Sequence, residues 1–106
     1  MIKLQFEIDL DLLDYDVDDV KNYFSEAAKI VNLIEEESEN GIFSFCGRGL
    51  NTDLSYIAIM VDALVLNDWF KTCCKKMLLL SDSGSKDGSF YVIGDWIKSL
   101  KKFNRW

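Results

Sequence analysis

Histidine is absent from the 106 residues. That absence removes the commonest metal ligand and the commonest general base, and argues against zinc enzymes, serine-type triads and cysteine–histidine proteases. Long apolar runs are also missing. The longest, Tyr56–Val61, stops at Asp62, far short of the ~18 residues that a membrane span needs. There is no proline and no linker, repeat or low-complexity tract beyond the short Ser/Gly/Asp loop Ser81–Ser89. Cysteine is scarce and odd in number: Cys46, Cys73 and Cys74. An adjacent pair, with no Cys-x-x-Cys and no zinc spacing, points to free thiols packed in the core rather than a disulfide scaffold. Ile2–Leu12 alternates apolar and polar residues, so it does not read as the apolar block of a signal peptide. The expectation is a single domain, residues 1–106, in a reducing cytoplasm.

Basic residues are nearly missing from the first part of the chain. Twelve of the 18 acidic residues fall within the first 39 positions, against Lys3, Lys21 and Lys29. Residues 1–40 therefore carry about −9 and the remainder about +3, for a net −6. An acidic half draws cationic surfaces and repels nucleic acid and anionic lipid. No comparable signal names a reaction, and hydrophobic content of 49% with 13% aromatics is that of an ordinary packed domain.

The hydrophobic pattern predicts the elements. Ile2, Leu4, Phe6, Ile8 and Leu10 alternate with Lys3, Gln5, Glu7, Asp9 and Asp11, a strand with one buried and one polar face. That polar face suits a sheet edge, guarded by its carboxylates, or an uncovered side. After a turn at Asp11–Tyr15, Asp16 is placed to cap a helix whose apolar stripe is Val17, Val20, Phe24, Ala27, Val31 and Ile34. This helix is expected to run into Glu35–Glu39 and stop at Asn40-Gly41. Ile42–Cys46 reads as a strand, closed by Gly47-Arg48-Gly49. Asn51 or Thr52 caps the next helix, with Tyr56–Val61 readable either as helix or as buried strand. A further helix is expected from Asn67 to Leu80, with Trp69, Phe70, Cys73, Cys74, Met77 and Leu80 inward. Phe90–Ile93 makes a third strand. A last helix carries Trp96, Ile97, Leu100 and Phe103 on one face and Lys98, Lys101, Lys102 and Arg105 on the other. The expected fold is α/β or α+β: a three-stranded, mostly parallel or mixed sheet packed by about four helices, in the order β-α-β-α-α-β-α.

Several constellations have part of a functional pattern and lack the rest. Asp14-Tyr15-Asp16-Val17-Asp18 has the alternation of a calcium loop, but Asp19 stands where glycine is needed and Ser25 where a bidentate glutamate belongs. Asp9, Asp11 and Asp14 lack the lysine or histidine of a metal-dependent nuclease site, and the surrounding charge repels its substrate. Gly47-Arg48-Gly49 at a strand–helix junction offers backbone amides to a phosphate, yet lacks the glycines of a dinucleotide fingerprint and the Gly-Lys of a P-loop. The basic, aromatic last helix either meets an anionic partner, or is an ordinary solvated face, or offsets the acidic half from within. Ser/Lys or carboxylate chemistry has no supporting spacing, so no catalytic residue, metal or cofactor is assigned.

A small, acidic, aromatic-rich domain without catalytic apparatus reads most economically as a binding protein. In size, charge and coarse order of elements it resembles the small acidic immunity proteins with which bacteria neutralise their own toxins, notably the nucleases of contact-dependent growth inhibition. No motif carries that resemblance. It implies a one-to-one complex with a basic toxin domain, with no direct contact to nucleic acid or membrane. The residues expected to meet the partner are Glu7, Asp9, Asp11, Asp14, Asp16 and Asp18, with Tyr15 and Tyr23 as anchors. Glu35, Glu36, Glu37 and Glu39 form a second patch. Two alternatives stand beside it: a phage-type inhibitor mimicking nucleic-acid charge (anti-restriction or anti-CRISPR), and a phosphate or nucleotide domain using the Gly47–Thr52 turn.

Overall fold

The first strand, β1 (Ile2–Ile8), lies in the centre of the sheet. A computed structural model describes all residues, 1–106. The other strands are β2 (Ile34–Glu35), β3 (Ile42–Cys46), β4 (Cys74–Ser81) and β5 (Tyr91–Asp95). They form one five-stranded sheet in the order β2-β3-β1-β4-β5, with each adjacent pair antiparallel. The helices are α1 (Val17–Ile30), α2 (Asp53–Val65), α3 (Asp68–Cys73) and α4 (Trp96–Lys102), with a single 3-10 turn at Leu10–Leu12.

The alternation in β1 sends Leu4, Phe6 and Ile8 into the core, where each is at most 2% exposed. Phe6 is the hub. Its ring meets Phe24 of α1 and Phe70 of α3 edge-on at 4.9 and 5.3 Å, and stacks on Phe43 and Phe45 of β3 at 5.5 and 5.7 Å. Ile57, Met60, Val61 and Leu64 of α2 complete this layer. Each such side chain contributes about 2 kcal/mol by leaving water, and the edge-on aromatic pairs add directionality. The result is an α+β sandwich of two layers. The opposite face of β1 is half-buried: Gln5 donates to the buried Ser44 (3.1 Å), and Lys3 pairs with Glu36 (3.0 Å) while sitting 4.1 Å over the Phe90 ring, with Cys46 and Leu80 buried on either side of it.

The sheet therefore differs from the expected three-stranded, mostly parallel or mixed one, and the element order from β-α-β-α-α-β-α. Two local causes account for this. The Asn67–Leu80 helix ends at Cys73, and Cys74–Ser81 is a strand. Register shifts where Glu7 faces Lys76 and Ile8 faces Cys74, so Lys75 is an extra residue in a bulge. Cys73, Cys74 and Met77 are all buried, and across that bulge their spacing of one and four mimics a helical stripe. The second cause is at α1, which stops at Ile30 rather than at Glu39. Asn32 takes φ 58°, and the Leu33 N–H donates to the Ala28 carbonyl at 2.9 Å, a left-handed helix stop. Asn40-Gly41 instead turns a hairpin: φ is 53° and 80°, and Glu39 bridges Ile42, as a two-residue turn with both φ positive requires.

Smaller differences from the expected elements accompany these two. Tyr56–Val61 is helical, inside α2. β1 is not an edge strand, so its carboxylates guard no edge, and its polar face is half-buried rather than an uncovered side. Phe103 is 70% exposed rather than inward. The last strand begins at Tyr91 and ends at Asp95. β5 is an edge with Tyr91, Val92 and Ile93 all exposed; the other edge, β2, is only two residues long.

Candidate functional site

The start of α1 is built by its own aspartates. Asp9 accepts from the Asp11 N–H (3.0 Å) and caps the 3-10 turn; Asp16 accepts from the Asp18 N–H (2.8 Å) and caps α1. Asp18 and Asp19 in the first turn meet the positive end of the helix dipole. The connecting loop is fastened to α3. The Asp9 N–H donates to the Cys73 carbonyl at 2.8 Å, and the Cys73 thiol donates to the Leu12 carbonyl at 3.3 Å.

That fastening sets Tyr15, at the loop's end, against Trp69 of α3. Their rings lie 5.6 Å apart at 66°. Tyr23, one turn beyond Asp19 on α1, meets the same indole at 5.9 Å and 73°. Asn67 donates its side-chain amide to the Tyr23 hydroxyl (2.9 Å) and to the Ala63 and Leu64 carbonyls, so it ties Tyr23 to the end of α2. Tyr15, Asp19, Val20, Tyr23 and Trp69 line an open groove of about 220 Å³, walled mostly by rings. Trp69 rests on Phe24 and Phe70 at 6.2 and 6.0 Å, so the groove floor is an extension of the core. Tyr15 is 55% exposed.

The expected site residues divide into groups. Asp9, Asp11, Asp14, Tyr15, Asp16, Asp18 and Tyr23 belong to the loop and helix start just described. Glu7 is on the polar face of β1, half-buried, facing Ile42 on one side and Lys76 on the other. Glu39 bridges that same Ile42 from its other side. Glu35 accepts from the Ser25 hydroxyl (2.6 Å), Glu36 pairs with Lys3, and Glu37 is exposed at the β2 edge. Of these ten carboxylates, Glu36 alone forms an ion pair. The other pairs are Lys29–Glu26, Lys71–Asp68, Arg105–Asp62 and the N-terminal amine with Asp82. Arg105, just beyond the end of α4, thus reaches α2, and no basic residue of α4 makes an ion pair with the acidic first forty residues.

Sequence reasoning missed Trp69, Asp19, Asn67 and Asp53. Trp69 fits the apolar stripe of its helix, and nothing in that stripe tells a floor from a wall. Asp53 explains the glycine turn. Its carboxylate is buried and accepts from the Arg48 N–H (3.2 Å), the Gly49 N–H (2.9 Å) and the Leu50 N–H (3.0 Å). The amides that a phosphate would use are thus already taken. A Cβ on Gly47 would fall inside that carboxylate. Arg48 turns away to donate from Nε to the Asn32 carbonyl (3.2 Å) at the end of α1.

Burial raises all three thiols above their ordinary range, Cys74 to about 12, so none is a thiolate near neutrality. No three acidic or cysteine side chains converge in a group that would hold a metal ion, and no helix is long and apolar enough to cross a membrane. Compared with protein-family models, curated proteins and solved structures, the chain matches none.

Proposed function

We propose that the chain is a binding protein that neutralises a cationic partner, a toxin domain with a basic surface, by forming a one-to-one complex through the acidic start of α1. One observation carries this reading: Asp11, Asp14, Asp16, Asp18 and Asp19 stand exposed in the one stretch of chain that also supplies Tyr15, Asp19 and Tyr23 to an open aromatic groove, and none is neutralised by a lysine or arginine of the same chain. Unpaired exposed charge speeds encounter with an opposite surface, and exposed aromatic rings on a rigid floor supply the anchors that hold it. The net charge of −6 and the small size support a basic nuclease domain as that toxin.

Co-expression with the product of the neighbouring gene should yield a complex that co-purifies. Its association rate should fall steeply as salt rises. Asp11, Asp14 and Asp18 are suitable for substitution because their side chains cap nothing. Converting all three to Asn should slow association about tenfold at low salt and leave thermal unfolding in place. An association rate that does not change removes this patch from the mechanism.

A further inference from the structure

We infer that the groove between Tyr15, Tyr23 and Trp69 receives an arginine side chain of the partner, an inference that rests on the proposed binding of a cationic protein. The walls are apolar and aromatic rather than acidic. Two tyrosine rings stand at 66° and 73° to a central indole, so the three rings that line this one groove have faces in different planes. A planar guanidinium stacks on such faces and is attracted by their negative quadrupoles. Asp19 is the one charged residue of the lining, and it offers the carboxylate oxygens that a guanidinium meets with paired donors.

Size limits the occupant. A helix is about 10 Å across and does not enter a groove of about 220 Å³, whereas one long side chain does. Charge chooses among long side chains: Asp14, Asp16 and Asp18 flank the groove in sequence without any basic counterpart, which favours a cation and disfavours a glutamate or a plain apolar anchor. Shape then favours arginine over lysine, since the ammonium is a compact, strongly hydrated point charge that gains less from ring faces. The site is also held in advance. Asn67 fixes Tyr23 through its hydroxyl, and Trp69 is seated on Phe24 and Phe70, so little ordering is left for the binding step.

The test uses the full chain and two short labelled peptides of equal length and charge, one alternating arginine with glycine and the other lysine with glycine. At low salt the arginine peptide should bind about fivefold more tightly than the lysine peptide. Tyr15→Ala, at an exposed position, should remove that difference, and Tyr15→Phe should keep it because the ring and not the hydroxyl does the binding. Methylguanidinium should shift the NMR signal of the Trp69 indole N–H more than methylammonium does. Equal binding of both peptides, unaltered by Tyr15→Ala, overturns the arginine groove while leaving the acidic surface in place. Failure of both peptides to bind at low salt overturns the acidic-surface reading as well.

Discussion

Asp53 shows how one side chain organises a loop that the sequence presents only as two glycines around an arginine. Three backbone donors converge on a buried carboxylate, and hydrogen bonds to a charged acceptor are the stronger kind. Asp53→Ala leaves those amides without their partner at the entry to α2. We expect a loss of about 2–3 kcal/mol, read as a shift in the urea midpoint at unchanged slope. Asn should rescue it only in part, because its one oxygen can serve the Gly49 and Leu50 N–H groups while its NH2 faces the Arg48 N–H donor to donor. A midpoint that stays in place would mean that water replaces the carboxylate at no cost. Thr52, which occupies the helix-cap position, makes no side-chain cap bond; the residue after it does the work, and only the folded loop reveals that.

Elements owe their limits to single left-handed residues. Gly41 has φ 80°, and a Cβ there would meet the Ile8 carbonyl oxygen; Gly49 has φ 82° with open space around it. Both substitutions to Ala pay about 1–2 kcal/mol for the left-handed backbone, but only Gly41→Ala must also push β1 from β3. Gly41→Ala should therefore unfold at lower urea than Gly49→Ala. Equal effects would show that the hairpin turn gives way freely. The alternation of β1, the Asp16 cap and the start of α3 after Asn67 were all legible in the sequence. What hid β4 was its bulge, which breaks the period of two, and what hid the end of α1 was Asn32, a less conspicuous stop than Asn40-Gly41.

At the scale of the whole molecule, burial sets the response to alkali. Cys74 is the most shifted thiol, from 9.0 to about 12, with burial as the largest cause. Below pH 9 its thiol is protonated both folded and unfolded, and the full stability is present. Between about 9 and 12 only the unfolded chain releases that proton, so stability falls as pH rises. Urea midpoints should decline over this window more steeply in the native protein than in Cys74→Ala, which removes the buried proton. Parallel declines would assign the alkaline loss to other groups. The acidic half behaves differently: its aspartates at the α1 start are exposed and make no ion pair, so their effect should lie in encounter rates more than in stability.

The sequence by itself determined the uneven charge, the want of histidine chemistry, the faces of β1, the inward Val20 and Phe24 of α1 and the aspartates that begin it, because each depends on residue type or on short-range periodicity. Only the tertiary structure decided that the sheet is antiparallel with β1 at its centre, that Asp53 fills the glycine turn, and that Trp69 joins Tyr15 and Tyr23 around one groove. The physical reason is distance along the chain: strand pairing and the meeting of residues 15, 23 and 69 depend on long-range packing around Phe6, which no local pattern encodes.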